Sequence, residues 1–180
     1  MKFKPSYTSS IAEDIMAERL IRAQAVEFLA DAPMRLKSGL ISPVYVDNRK
    51  LFSHPEAWRD IVETMASRVE EYDLEFDIVA GVEAAGSMHA AALAYRLGLP
   101  AIMVRQKAKT YGNHSRIEGG DVKGLRVLLL EDHISTGLSC LDAIRALREE
   151  GAQVTQVMSI TNYAIPETQR LFKQIGRAHV

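Results

Sequence analysis

Apolar residues recur along this chain with two different spacings, and the switches between them mark out the elements. From Ser10-Ile11-Ala12-Glu13, which has the form of a capping box, Ile15, Met16, Leu20, Ala23 and Val26 share one stripe of a helix predicted to run to about Ala30. Leu36 to Arg49 mixes turn formers with short apolar alternation and predicts a small hairpin or paired strands. A second helix opens at Ser53-His54-Pro55-Glu56, again of capping-box form with an early proline, and carries Trp58, Ile61, Val62, Met65 and Val69 at helical spacing. Phe76 to Gly81 is the first core strand. The small-residue loop Gly81-Val82-Glu83-Ala84-Ala85-Gly86 leads into a helix from Ser87 to Leu97, which Gly98 ends. Such a loop serves either a ligand that touches backbone or close packing of helix on strand.

Pro100 to Val104 is the second core strand, and residues 105–120 follow with no helical or strand period. Val127 to Leu130 is a third, leading through a polar turn to a helix with Leu141, Ile144 and Leu147 that ends at Gly151. Val154 to Ile160 is a fourth strand, and a last helix starts at Pro166 and shows Leu171, Phe172 and Ile175. Strands alternating with helices predict an α/β fold with a parallel sheet and right-handed crossovers. No repeat, low-complexity tract or linker divides the chain, so a single domain is expected over residues 1–180.

Composition narrows the function classes. Hydrophobic residues make up 47% of the chain and charged ones 25%, which is ordinary for a globular domain. A net charge of −1 gives no general attraction to nucleic acid or to a membrane surface. No apolar run approaches the roughly 18 residues of a membrane span, and the opening MKFKPSYTSS lacks the apolar centre of a secretory signal, so a cytoplasmic protein is expected. The single cysteine, Cys140, excludes an internal disulfide and is expected to face the core.

The chemistry gathers after the third strand, at Glu131-Asp132-His133-Ile134-Ser135-Thr136-Gly137-Leu138-Ser139. Ligands of parallel sheets collect at the carboxyl ends of the strands. Ser135, Thr136 and Ser139 offer hydroxyls, Gly137 lets backbone come close, and the amides that open the next helix favour an anion. Two adjacent carboxylates one step upstream suit vicinal hydroxyls, directly or through a hydrated metal ion. A phosphate and a diol a few ångströms apart describe a ribose 5-phosphate. No Walker loop and no G-x-G-x-x-G fingerprint occurs. Four cations, Arg105, Lys107, Lys109 and Arg116, stand among glycines in the loop that leaves the second strand. Such a loop is commonly just solvated, but one leaving a core strand near the expected phosphate cup is a candidate to meet phosphate.

The run from Leu128 to Ser139 resembles the 5-phosphoribosyl 1-pyrophosphate (PRPP) motif of type I phosphoribosyltransferases. Lys37-Ser38-Gly39, Ser42-Pro43 and Tyr45-x-Asp47-x-Arg49 resemble the substrate hood of the orotate phosphoribosyltransferases, and Arg105 through Lys107, Lys109, Gly112 and Ile117-Glu118-Gly119 resembles their catalytic loop. The resemblance covers residues from about 30 to 165. It implies a type I phosphoribosyltransferase fold, a central parallel sheet flanked by helices, with hood elements at about 1–55 and a core at about 56–180. It implies transfer of phosphoribose from PRPP to orotate, giving orotidine 5′-monophosphate and pyrophosphate, with Mg²⁺ held through PRPP and water rather than by direct protein ligands.

By the same resemblance Lys109, Arg105 and Lys107 are catalytic, and Glu131, Asp132, His133, Ile134, Ser135, Thr136, Gly137, Leu138, Ser139, Arg105, Lys109 and Tyr111 bind PRPP. Lys37 and Ser135 meet orotate. A homodimer is implied, with loop 105–119 acting in the neighbouring subunit's site. Tyr111-Gly112 stands where the family usually has His-Gly, Gln106 where many members have Lys, and Ala84-Ala85 where some have Tyr-Lys. Members commonly continue with further hood structure where this chain stops at Val180. A PRPP-sensing regulator with little turnover, or a transferase for a purine base, are the alternatives.

Overall fold

The structure, a computed structural model, describes residues 10–36, 39, 41–108, 115–175 and 177–179. Helix α1 (Ile11–Arg22) opens with the expected capping box, Ser10 and Glu13 each bonding the other's backbone amide. It stops eight residues short of the predicted Ala30. Gln24 turns the chain at φ +55°, and Val26–Phe28 (β1) leaves to pair antiparallel with Val44–Val46 (β4). The helical stripe thus loses its last residue, Val26, to a strand pairing that local spacing does not reveal.

Met34–Arg35 (β2) pairs antiparallel with Ile41–Ser42 (β3), so the stretch from Leu36 to Arg49 does supply two strands, β3 and β4, but each pairs with a strand that precedes Leu36 rather than with the other. A 3₁₀ turn, Asn48–Ser53, follows and consumes Ser53. The capping box expected at Ser53 is therefore not made: the cap position of α2 (Pro55–Glu71) is His54, without a side-chain cap bond, and Pro55 fills the first turn.

The core is a six-stranded sheet in the order β10-β9-β8-β5-β6-β7. Its strands are β5 (Ile78–Val82), β6 (Ala101–Val104), β7 (Ile117–Glu118), β8 (Arg126–Ile134), β9 (Gln153–Asn162) and β10 (Arg177–His179). All neighbours are parallel except β6 and β7. Helices α3 (Ala85–Leu97), α4 (Leu138–Glu149) and α5 (Pro166–Ile175) complete the alternation.

Two of these strands correct the expectation. Residues 105–120 contain β7, which turns the far end of that segment back onto the sheet edge. Beyond the last helix, β10 adds a parallel strand to β9. Both are too short for a periodic signal.

Alternation along β8 and β9 divides the core. Leu128, Leu130, Met158 and Ile160 pack with residues of α1, α2 and α3. Val127, Leu129, Val154 and Val157 pack with Ile144, Leu147 and Phe172 of α4 and α5 on the opposite face. Leu128, Leu129 and Leu130 are 0% exposed, and each such side chain contributes about 1.5–3 kcal/mol of transfer free energy. Cys140 is buried in the second cluster as expected, and burial pushes its thiol up. Among the described residues no helix is long and apolar enough to cross a membrane.

Candidate functional site

Strand β8 does not stop at Leu130. It runs on to Ile134, in register with β9 as far as Asn162, so Glu131, Asp132 and His133 are strand residues at its carboxyl end rather than loop residues beyond it. The pleat then separates the two acids. Glu131 is 6% exposed while Asp132 is half-buried. Burial pushes the Glu131 carboxyl well above the usual carboxylate range, and a hydrogen bond to the Asp132 side chain and the Asp132 charge act in the same direction. One of the pair is thus the more accessible acceptor and the other is a carboxyl that favours its proton.

The backbone under Asp132 is fixed from two sides. Asn48, fully buried in the 3₁₀ turn, donates through Nδ2 to the Asp132 carbonyl at 2.6 Å and to Thr161 Oγ1 at 2.7 Å. The Thr161 hydroxyl on β9 also lies 2.9 Å from His133 Nδ1. The His133 ring meets Tyr163 edge-on at 4.4 Å, and Tyr163 donates its phenol proton to the Val44 carbonyl at 3.0 Å. Burial lowers the His133 pKa. Asn48, Thr161 and Tyr163 therefore join the N-terminal strands to the acidic end of β8. None of them carries a sequence signal, because a single polar or aromatic residue in a turn or at a strand end has no spacing partner.

After Ile134, whose side chain is 4% exposed and belongs to the core, Ser135, Thr136 and Gly137 make the turn into α4. Ile134 can thus meet a ligand only through its backbone. Ser135 Oγ is buried with no hydrogen-bond partner among the described residues, and the Ser135 carbonyl accepts from Thr168 Oγ1 of α5 at 3.1 Å. Gly137 sits at φ +78°, and a Cβ there would come within 3.1 Å of Phe172 and Thr168 side-chain atoms. The glycine answers to chain direction and to α5 packing. The first-turn amides of α4 lack intrahelical acceptors and carry the positive end of the helix dipole, a setting that favours an anion.

A cavity of about 300 Å³ lies between this turn and the segment after β6, lined by Arg105, Gln106, Lys107, Arg116, Leu138 and Ser139 among others. Arg105 and Lys107 thus reach the same hollow as the start of α4. Arg105 pairs with Glu118 at 3.2 Å, its amide bonds the Arg116 carbonyl at 2.9 Å, and Arg116 returns a bond to the Arg105 carbonyl at 2.8 Å. Arg116 also pairs with Asp142 of α4 at 2.6 Å. Glu83 accepts from the Gln106 amide at 3.0 Å. Both ends of the segment are therefore tied down, one to the turn after β5 and the other to the helix after β8. Lys37, Lys109 and Tyr111 lie outside the described residues.

The loop after β5 packs closely against its own helix and against β8. A Cβ on Gly81 would lie 2.4 Å from Ser87 Cα and 2.5 Å from the Gly86 carbonyl, and one on Gly86 would lie 2.8 Å from the Leu130 carbonyl and 3.2 Å from Glu131 Oε1. Helix α3 is thereby seated directly behind the acidic pair. Among the described residues no three His, Cys, Asp or Glu side chains converge on one point. The accessible local carboxylate is Asp132, with Glu131 buried behind it, and so few protein donors suit a hard cation that keeps most of its ligands from substrate and water.

Known proteins resemble this chain in sequence and in fold. Residues 47–171 match the family model described as a phosphoribosyl transferase domain. The chain is 46% identical over 157 residues to the orotate phosphoribosyltransferase of Coxiella burnetii, covering 87% of this chain and 75% of that protein. Among solved structures, the orotate phosphoribosyltransferase of Aeropyrum pernix superposes with a TM-score of 0.76 at 29% identity, over 92% of this chain and 93% of that one. That of Mycobacterium tuberculosis H37Rv in complex with 5-phospho-alpha-D-ribosyl 1-diphosphate superposes with a TM-score of 0.71 at 26% identity, over 93% of each chain.

Proposed function

Because the chain belongs to the phosphoribosyl transferase family, we propose that it transfers the 5-phosphoribosyl group of PRPP to orotate, giving orotidine 5′-monophosphate and pyrophosphate in pyrimidine nucleotide synthesis. The observation that carries this reading is the placement of Asp132 and the Ser135–Gly137 turn on one strand end, beside a hollow that also receives Arg105 and Lys107. The bond from ribose C1 to the pyrophosphate oxygen breaks, the bond from C1 to the orotate ring nitrogen forms, and the ring-nitrogen proton leaves to solvent. That nitrogen is already acidic, so no general base is required.

Each group of residues has a part. The Asp132 carboxylate accepts from the ribose hydroxyls, and Glu131 behind it completes the polar end of the strand. The hydroxyls of Ser135, Thr136 and Ser139, with backbone groups from His133 to Leu138, hold the 5-phosphate. Negative charge grows on the departing pyrophosphate as C1 becomes cationic, and Arg105, Lys107 and Lys109 offset it there, with Tyr111 beside them. Lys37 and Ser135 meet orotate. Asp132, with Glu131 behind it, would hold Mg²⁺ through water, and the ion would supply positive charge that offsets the pyrophosphate. The chain acts as a homodimer in which loop 105–119, anchored at both ends in its own chain, extends its middle over the partner's site, with the hood and the core working as one domain.

Loss of orotate absorbance with PRPP and Mg²⁺, run beside adenine, hypoxanthine and xanthine, tests the reading. Orotate alone should be consumed. Tight PRPP binding with no turnover on any base would instead make the chain a PRPP sensor. Lys109→Ala should lower kcat about 10²–10³-fold while moving the PRPP Kd far less.

A further inference from the structure

One buried side chain beside the acidic pair has no part in the reaction described above. His89 of α3 is 0% exposed and packs against Trp58 of α2 and Phe52 of the 3₁₀ turn. Trp58 Nε1 lies 3.0 Å from His89 Nδ1. An indole nitrogen only donates, so Nδ1 must accept, and a neutral imidazole then carries its proton on Nε2. The ring is held in place by Phe52 at 4.8 Å, and Phe52 in turn meets Trp58 edge-on at 5.0 Å. His89 Nε2 is buried with no hydrogen-bond partner among the described residues.

Two features bring the elements that carry and enclose His89 up to the acidic pair. Gly86, one turn earlier on α3, would put a Cβ 3.2 Å from Glu131 Oε1. Phe52 belongs to the same 3₁₀ turn as Asn48, whose amide bonds the Asp132 carbonyl at 2.6 Å. Burial drives the His89 pKa down to about 4, against the smaller opposing pull of the Asp132 charge, so the ring is neutral near pH 7. A buried polar donor left unmade carries a desolvation cost, which marks it as one that gains a partner in another state of the site.

We propose that His89 is a positioning residue for PRPP: its Nε2–H, fixed in that tautomer by Trp58, orients the Asp132 carboxylate when the ribose hydroxyls bind to it. The assignment rests on the proposed role of Asp132. It explains why an aromatic box of Phe52, Trp58 and His89 is built behind a strand end rather than an all-aliphatic core.

PRPP affinity measured calorimetrically with Mg²⁺ and no base tests it in wild type, His89→Phe and His89→Gln. The phenylalanine variant removes the donor at similar volume and should weaken PRPP on the order of ten- to a hundredfold, the range for loss of a hydrogen bond to a charged group. The glutamine variant keeps an N–H near the Nε2 position and should return affinity to within about threefold of wild type. The orotate KM should stay put in both. Equal loss in the two variants, or unchanged PRPP affinity in the phenylalanine variant, would reduce His89 to a packing residue.

Should the phenylalanine variant fail to fold, nitrogen-15 imidazole spectra of the wild type decide. An Nε2–H tautomer whose Nε2 signal shifts on PRPP addition supports the proposal, and an Nδ1–H tautomer or an unmoved signal overturns it. Wild type that binds PRPP but consumes no orotate would sink the proposed reaction and leave the His89 assignment standing.

Discussion

After β5 the chain enters α3 through Glu83 and Ala84, and after β8 it enters α4 through Ser135, Thr136 and Gly137. Both are strand-to-helix turns on adjacent parallel strands, yet they are built for different ends. At the first, backbone approaches backbone: Gly81 and Gly86 leave no room for a Cβ against Ser87, Leu130 or Glu131. At the second, β8 continues past its core leucines so that Glu131, Asp132 and His133 rise to the site on a hydrogen-bonded strand, and hydroxyl side chains follow. The first turn seats a helix behind the acids, and the second carries the chemistry. Precision at one depends on closeness at the other, which is how a functional strand end gains rigidity without loop flexibility.

Mutations should separate the two turns, and the largest effect belongs to the chemical one. Asp132→Asn should lower kcat/KM for PRPP about 10²–10³-fold, near 3–4 kcal/mol of transition-state stabilisation, with the unfolding midpoint close to wild type. An equally large loss of stability would show that Asp132 is structural.

Gly81→Ala should behave in the opposite way. Its Cβ meets backbone, which cannot give like a side chain, so urea unfolding should show a loss of about 3 kcal/mol. Activity per folded molecule should survive better than in the Asp132 variant.

Gly137→Ala falls between. The left-handed φ costs about 1–2 kcal/mol, and the Cβ presses on Phe172 and Thr168 side-chain atoms that can yield. Thermal unfolding should register that loss, and PRPP affinity should fall only modestly.

The smallest effect at acid pH is expected from Glu131→Gln. Burial raises the folded-state pKa of Glu131 above its ordinary value of 4.5. Its contribution to stability is therefore complete below that ordinary value and is lost as pH climbs toward the folded-state value. At pH near 4 the variant should match wild type within about 0.5 kcal/mol, and denaturant titrations at rising pH should show wild type losing ground to it. Parallel pH profiles would mean the carboxyl is not desolvated.

The same division explains what could be read from residues alone. The core strands and helices were legible because Leu128 to Leu130, or Ile61, Val62 and Met65, announce burial by type and spacing. The motif from Glu131 to Ser139 was legible because side-chain chemistry carries it. The end of α1 was not, since Val26 fits a helical stripe as well as the strand it joins, and only its partner Val46, twenty residues on, decides. Asn48 and Thr161 were missed for a similar reason: each acts through a hydrogen bond across more than 80 positions or between neighbouring strands, with no local pattern. Glu131 and Asp132 look equivalent in sequence and become unequal only when the pleat sends one inward.

Pyrophosphate released per orotate consumed, measured for wild type beside Asp132→Asn with PRPP and Mg²⁺ saturating, tests the central claim most directly. The account predicts one-to-one stoichiometry in wild type and a rate at least about a hundredfold lower in the variant. Orotate left unconsumed by wild type, or consumed as fast by the variant, would contradict it.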